Sequence, residues 1–279
     1  MSVVQRRAQR SFGRRPLGLA AVLVAVTVAV LAGCGSDGGS GSGAAPTTVA
    51  PTTMTPVDYR SAMVARLSDE WDDPAVAEQV VVALGPDGLA AWEKKVPMAE
   101  VATTPLLAYR TPTRPAGDID SLVVFAFGNR VAADGTLEPG PVNQALADTT
   151  AAFVADHPVP VFAQWEVARL LDAAGVKGVT SIEPTTGPDG QVVYLSTRGV
   201  ADAIVAESGA TGTQLGTAGV VCFADHVGRC LLNAAAAGIT GTAIQGVELP
   251  STYDPQSGQA WTRDRVSYLV TDLGGRLLL

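Results

Sequence analysis

Histidine and cysteine are both scarce in this chain of 279 residues, which has two histidines and three cysteines. A structural zinc ion takes four Cys or His ligands. Cys34 belongs to the N-terminal leader described below, so Cys222, Cys230, His157 and His226 offer little material for such a site. We therefore expect no metal centre.

Familiar cofactor and hydrolase motifs are also missing where the chain would need them. The loop at 128–134 lacks the G-x-G-x-x-G pattern and the lysine of a phosphate loop, and no G-x-S-x-G elbow surrounds Ser196. Without the glycine-rich pattern or the phosphate-loop lysine, the sequence gives little support for binding of the common nucleotide cofactors. Without the G-x-S-x-G elbow, it gives little support for a hydrolase triad. The sequence names no cofactor and no reaction.

Basic residues are in the minority, with 19 Lys and Arg against 27 Asp and Glu. Five of the arginines lie within the first 15 residues, so the rest of the chain has a net charge of −13. A domain this acidic is a poor partner for nucleic acid or for an anionic lipid surface. We expect no binding to nucleic acid.

The first 33 residues have the pattern of a lipoprotein signal peptide. A leader with five arginines and no acidic residue precedes an apolar run from Leu17 to Gly33, which leads into "LAGC". In this pattern Cys34 becomes the mature N-terminus and its thiol carries a diacylglycerol. The alternative is a membrane-spanning anchor, but the run is shorter than the ~20 residues that a bilayer core needs. We predict a protein held by lipid at the extracytoplasmic face of the cell membrane.

Three further segments follow this signal peptide. Residues 34–56 contain the lipidated cysteine and a stretch rich in Gly, Ser, Pro and Thr, which predicts a flexible linker. Residues 57–115 predict a helical extension, because 59–67 is amphipathic and Asp73-Pro74 opens a capped helix. "GPDG" interrupts that helix before a short one at 89–95. Residues 116–279 form the predicted α/β domain, and residues 57–279 together have ample apolar content for a single core.

From Ser121 onward, short apolar runs alternate with helical segments. Continuous apolar runs are typical of strands covered on both faces, and repeated alternation favours a mostly parallel sheet between two helical layers. We therefore predict an α/β, Rossmann-like three-layer domain with about five strands. The predicted strands are 122–127, 159–163, 179–183, 219–224 and 242–247, and the predicted helices are 142–156, 166–174, 197–207, 226–237 and 259–277.

In such a sheet, ligands bind beyond the carboxyl ends of the strands, near a switch in strand order. The loops at 128–141, 164–166, 184–190 and 225–229 follow four of the predicted strands. The helix start at 196–198 should point the same way. We expect these loops to border one cleft.

Cys222 and Cys230 remain once Cys34 is lipidated. An oxidising exterior favours a disulfide between an even pair of cysteines. One of them ends a predicted strand and the other lies a turn into the next helix, a separation that can exceed the ~7 Å limit between bridged Cα atoms. A disulfide and two free thiols both stay open.

Five stretches occur in a characteristic order: "LVVFAFGNRVAADGTLEPG", "VPVFAQWEVARLLDAAGV", "SIEP", "LSTRGVADAI" and "VVCFADHVGRCLLNAAAAGI". Across about residues 120 to 250, this order resembles the YdcF-like family of SanA/ElyC-type envelope proteins, with this chain as a divergent exported lipoprotein member. The resemblance implies a Rossmann-like domain linked to barrier integrity or wall precursors, and in one branch to S-adenosylmethionine binding. The positions that match the family motifs are Gly128, Asp134, Glu166, Glu183, Ser196, Thr197, His226 and Arg229.

His226 and Arg229 lie three residues apart, so on a helix they share one face of the first turn. Free amides and the helix dipole favour an anion there, and Asp225 is placed to cap the helix. One interpretation is a phosphate or carboxylate held by Arg229, with His226 as acid or base. The other is an ordinary capped helix whose histidine packs on the sheet edge.

Glu166 and Glu183 follow successive strands and are predicted to face one cleft. Two carboxylates there would share a proton, bind a metal or receive the hydroxyls of a ribose or sugar. The alternative is a glutamate stabilised by a helix dipole and a solvated acid at a strand end. Ser196-Thr197 predicts a helix cap rather than a nucleophile. The first loop adds three more candidates to the site, namely Gly128, Asn129 and Asp134.

Two functions stay open for this cleft. One is binding, with or without turnover, of a small anionic or nucleotide-like envelope ligand. The other is a non-catalytic interaction module that contacts an envelope protein through a degenerate cleft. Glu166, Thr197, His226 and Arg229 favour the first function. Ala163-Gln164 favours the second, because typical members of the resembled family have a glycine pair at this turn.

Overall fold

The computed structural model describes residues 58–187 and 192–279. The predicted signal peptide at 1–33, the linker at 34–56 and the lipidation site Cys34 lie outside the described residues, as does part of the loop at 184–190. Within the described ranges, no helix combines the length and the apolarity that crossing a membrane requires.

Two helices occupy the predicted helical segment, α1 (Tyr59–Trp71) and α2 (Pro74–Lys95). Asp58 caps α1 by accepting a hydrogen bond from the Ser61 amide at 2.7 Å. Asp73 caps α2 in the same way, directly before a proline at the first helical position. Gly85 has a φ of +65° and kinks α2 within "GPDG". The predicted helix at 89–95 is therefore the second half of α2.

Ten strands are present in the described residues, in chain order β1 (Thr113–Arg114), β2 (Ser121–Val124), β3 (Arg130–Val131), β4 (Leu137–Glu138), β5 (Val161–Gln164), β6 (Val179–Ile182), β7 (Thr185–Thr186), β8 (Val192–Val193), β9 (Thr217–Val221) and β10 (Thr240–Ile244). Six of them form one sheet in the spatial order β1-β10-β9-β2-β5-β6, with every neighbouring pair parallel. The other four form two small antiparallel hairpins, β3 with β4 and β7 with β8.

The predicted α/β sheet is confirmed, and each of the five predicted strands overlaps a strand of the main sheet. The predicted strand at 219–224 lies two to three residues too late, because β9 is Thr217–Val221. β1 and the two hairpins were not predicted. Each of their strands is two residues long, too short to show a periodic pattern.

Five more helices follow in the α/β part, α3 (Gly140–Asp156), α4 (Trp165–Ala173), α5 (Thr197–Thr211), α6 (Val227–Ala236) and α7 (Arg265–Arg276). The first four match predicted helices. The predicted helix at 259–277 is wrong at its start, because a 3-10 turn at Ala260–Thr262 comes first. α7 begins after Asp264, whose side chain accepts from the Ser267 amide at 2.9 Å.

Helices cover the sheet on both faces, so its central strands β2, β5 and β9 are buried on both sides. Leu122 and Val124 of β2 pack into an apolar cluster that includes Met63, Trp92 and Leu269. Val123, which points the opposite way, packs into a second cluster with residues of α5 and α6, including Ile204 and Leu231. The three-layer arrangement follows from this alternation.

The strand order changes direction at β2. The chain leaves β2 for β5 and β6 on one side, and it returns through α5 to β9 and β10 on the other. The connections that leave β2 and β9 therefore diverge. A crevice forms at such a switch point, beyond the carboxyl ends of the strands.

Candidate functional site

A cleft of about 290 Å³ opens at this switch point. Its walls come from the turn after β2, the end of β5, the starts of α4, α5 and α6, and the segment from Gln259 to Tyr268. The structure brings together there six of the nine predicted ligand residues, namely Gly128, Glu166, Ser196, Thr197, His226 and Arg229.

Glu166 is the one carboxyl group among the described residues that line the cleft, and 1% of its surface is exposed. The Asn129 amide donates to the Tyr194 hydroxyl at 3.0 Å, and Tyr194 lines the same cleft. The Glu166 carboxylate oxygen Oε2 is buried and has no hydrogen-bond partner among the described residues. Burial raises the pKa of Glu166 to about 7, against the opposing effect of hydrogen bonds and Arg169.

His226 stands between Thr197 and Asp272. Its Nε2 lies 3.4 Å from the Thr197 hydroxyl, and its Nδ1 lies 3.8 Å from an oxygen of Asp272. Burial, together with the charge of Arg229, lowers the pKa of His226 to about 4, so the imidazole is neutral near pH 7. A separation of 3.8 Å is too long for a hydrogen bond. Asp272 therefore does not orient His226 as a catalytic triad requires.

Arg229 is held by a charge network behind the cleft, defined here as Glu70, Arg229, Asp272 and Arg276. Arg229 Nε donates to Asp272 Oδ1 at 2.7 Å, and Arg276 Nε donates to Asp272 Oδ2 at 2.7 Å. Arg276 also donates twice to Glu70, at 2.8 and 2.6 Å. Burial alone would raise the pKa of Asp272, but the two cations hold it well below its usual value.

That Arg229 holds an anion stays a prediction, and its side chain already has two partners within the protein. Its Nε and Nη2 contact Asp272 and Tyr268, and its side chain is 17% exposed. Arg229 still lines the cleft and contributes positive potential to it.

The predicted cap of α6 is also wrong. Ala224–His226 form a 3-10 turn, and α6 begins at Val227 without a side-chain cap. Asp225 instead accepts from the Tyr253 hydroxyl and from Arg265, both at 2.8–2.9 Å. Distant residues therefore compete successfully for the carboxylate that the local pattern assigns to the helix.

The predicted cap of α5 is present. The Ser196 hydroxyl accepts from the Gly199 amide at 3.1 Å, and Thr197 is the first helical residue. Thr197 thereby reaches the cleft at a helix start, where the dipole is positive.

The turn after β2 is fixed by Asn143, a residue of α3 that is fully buried. Its side chain accepts from the Phe127 amide at 2.8 Å and donates to the Gly128 carbonyl at 2.8 Å. Gly128 has a φ of +68°, and a Cβ there would lie 2.7 Å from the Ser257 hydroxyl. Only glycine fits this approach without displacing the cleft wall.

Asp134, Glu183 and Asn129 lie outside the cleft. Asn129 donates a hydrogen bond to Tyr194, which does line it. Asp134 is exposed and binds Thr136 within its own turn, with an oxygen–oxygen distance of 2.7 Å. Glu183 is exposed and accepts from the Ser181 hydroxyl. The expectation of two carboxylates facing one cleft is therefore corrected to one, Glu166.

Cys222 and Cys230 are free thiols, both buried. Burial raises the pKa of the Cys230 thiol. Of the two alternatives left open by the sequence, the structure shows the unbridged pair.

Several cleft residues were not singled out from the sequence, among them Tyr194, Trp261 and Tyr268. Tyr194 lies two residues before Ser196, and this closeness to a helix start predicted to border the cleft could have indicated it. Tyr268 and Trp261 come from the C-terminal segment, and no local pattern connects them with the strand ends.

Within the described ranges, no group of three or more His, Cys, Asp or Glu side chains could hold a metal ion. Comparison with protein-family models, with curated proteins and with solved structures finds no match to this chain. The fold and the cleft define an α/β protein with a cavity of mixed polar and apolar lining at its switch point.

Proposed function

We propose that this chain is a lipid-anchored protein of the extracytoplasmic membrane face whose α/β domain binds a small anionic or nucleotide-like ligand in the switch-point cleft. The observation that carries the proposal is the convergence of three helix starts, those of α4, α5 and α6, on one cavity at the position where open α/β sheets bind ligands.

The electrostatics of the cleft support an anionic group on the ligand. Helix starts present amide hydrogens and positive dipole ends. Arg229 also lines the cleft, although Asp272 balances its charge. Among the described lining residues the opposing charge is that of Glu166, whose pKa of about 7 leaves it only partly ionised near neutral pH. An anion meets the amides of α5 without facing a second carboxylate.

The lipid anchor and the envelope role rest on sequence patterns. The "LAGC" box favours attachment through Cys34, and the motif order resembling the YdcF-like family favours a task in envelope or wall homeostasis. We assign no catalytic step, because His226 is neither charged at neutral pH nor oriented by Asp272.

Native mass spectrometry of the full-length protein, extracted in mild detergent from its own membranes, tests this function. We expect a retained small molecule, and we expect Thr197→Phe, which fills the cleft, to lose it. Asp134→Asn is the matched control outside the cleft and should retain the molecule. An empty cleft together with a co-purifying envelope protein would instead support the interaction module.

A further inference from the structure

The main sheet ends in two edge strands, β1 and β6, and an edge strand presents backbone groups that no neighbouring strand satisfies. β1 is two residues long and β6 is four residues long. β6 therefore offers the longer row of groups to another strand.

The pairing of β6 with β5 decides which of its groups face outward. The Val161 amide of β5 donates to the Gly178 carbonyl at 2.9 Å. Because alternate residues of a strand direct their backbone groups to the same side, Thr180 and Ile182 also face β5. The amides and carbonyls of Val179 and Ser181 point the other way, and the described residues supply no partner for them.

The two ends of β6 carry opposite charges on one face. Lys177 precedes the strand, Glu183 follows it, and both line a groove between α4 and β6 together with Val179 and Ser181. Both charged residues are exposed, and neither forms a salt bridge within the described ranges. The Ser181 hydroxyl donates to the Glu183 carboxylate at 2.7 Å and thereby holds it beside the edge.

These charges select a partner strand. Charged side chains of one sign on an exposed edge keep other strands away. With one sign at each end, a second β6 that approached in the parallel direction would bring like charges together. A second β6 in the antiparallel direction brings Lys177 of each copy to Glu183 of the other, and opposite charges across strands attract.

The backbone selects the same arrangement. In an antiparallel pair, residues that exchange both hydrogen bonds must direct their groups outward, so Val179 of one copy meets Ser181 of the second. Thr180 then faces its counterpart on a twofold axis. Lys177 and Glu183 come to the same level because each lies three residues from Thr180. A twofold axis at Val179 or Ser181 would pair outward groups without matching the charges.

We propose that two copies of this chain associate through antiparallel pairing of their β6 edges, which joins their six-stranded sheets across a twofold axis. None of the four residues that carry the contact lines the switch-point cleft, so the dimer is independent of the proposed ligand. The contact is small, and two acidic chains repel each other at long range. We therefore expect a reversible dimer with a Kd on the order of micromolar.

Analytical ultracentrifugation of the full-length protein in density-matched detergent, from about 1 to about 100 μM, measures this equilibrium. Ser181→Pro should abolish the dimer, because proline removes the outward amide. An edge strand tolerates proline where the amide faces solvent, so the fold should persist. Ser181→Ala is the matched control. It loses the hydroxyl but keeps the amide, and its Kd should stay within about threefold of the original.

Exchanging the charges tests the register. Lys177→Glu and Glu183→Lys each bring like charges together, so each should raise the Kd at least about tenfold. The variant with both substitutions restores opposite charges in the reverse sense, and its Kd should return to within about threefold of the original. Added salt should weaken the original dimer and the doubly substituted dimer alike.

A monomer throughout the concentration series overturns the proposal. A dimer that persists in Ser181→Pro overturns it too, as do two charge reversals that fail to rescue each other. Circular dichroism of each variant separates lost pairing from lost structure. Should proline disturb the strand itself, the charge exchange decides alone, since it leaves the backbone of β6 unchanged.

Discussion

Replacing Glu166 by glutamine removes a buried charge with little change of side-chain size. The folded protein holds the pKa of this carboxyl at about 7, above its ordinary value of 4.5. The protonated form therefore stabilises the fold. That contribution is complete below pH 4.5, and it is lost as the pH rises through 7, because the unfolded chain ionises more easily.

The magnitude follows from the difference between the two pKa values. An increase from 4.5 to about 7 corresponds to about 3 kcal/mol at 1.36 kcal/mol per pH unit. Glutamine carries no charge at any pH. Glu166→Gln should therefore raise the free energy of unfolding by about 2–3 kcal/mol at pH 8, and by less than about 1 kcal/mol at pH 5.

Urea denaturation followed by circular dichroism at the two pH values measures this difference. Glu183→Gln makes the same chemical change at an exposed carboxylate and should alter stability little at either pH. The reasoning would be refuted if Glu166→Gln increased the free energy of unfolding no more at pH 8 than at pH 5, or if it decreased that free energy at pH 8. A gain would also mean that the native glutamate is kept at a cost in stability, as expected of a ligand-binding group.

Three further expectations follow from other parts of the chain. Cys34→Ala should yield an N-terminus that is neither cleaved nor lipidated, which mass spectrometry detects; a lipid mass on this variant would contradict the anchor. Asp272→Ala leaves the buried cation Arg229 without its carboxylate partner and should lower the free energy of unfolding by about 3–5 kcal/mol in denaturation experiments, whereas Asp202→Ala, at an exposed pair, should change it by less than about 1 kcal/mol. Cys222 and Cys230 should resist a thiol reagent in the native protein and give two reactive thiols after denaturation; fewer than two would indicate a disulfide.

The architecture could be predicted because its signals are local. Each central strand is a continuous apolar run, and most helices begin at a residue whose side chain caps them, as Asp58, Asp73 and Ser196 do. The same reasoning failed at Asp225. There Tyr253 and Arg265, which are 28 and 40 residues away, bind the carboxylate that the local pattern assigns to a cap.

The site could be predicted in part for a related reason. Parallel strands place their carboxyl ends at one edge, so Gly128, Glu166, Thr197 and His226 come together whatever their distance in sequence. What each side chain does there depends on its partners. Arg229 is bound by Asp272, 43 residues later in the chain, and nothing in the sequence around Arg229 indicates this.

The charge network also has a consequence for the order in which the molecule is completed. Glu70 lies in the first helix and its partner Arg276 in the last, 206 residues later. A nascent chain appears from its N-terminus, so Glu70 has no cation until α7 has been made. An interrupted product that stops before α7 would carry an almost buried carboxylate without its partner and would remain open to proteolysis. The ion pair thus forms only in a chain that includes α7.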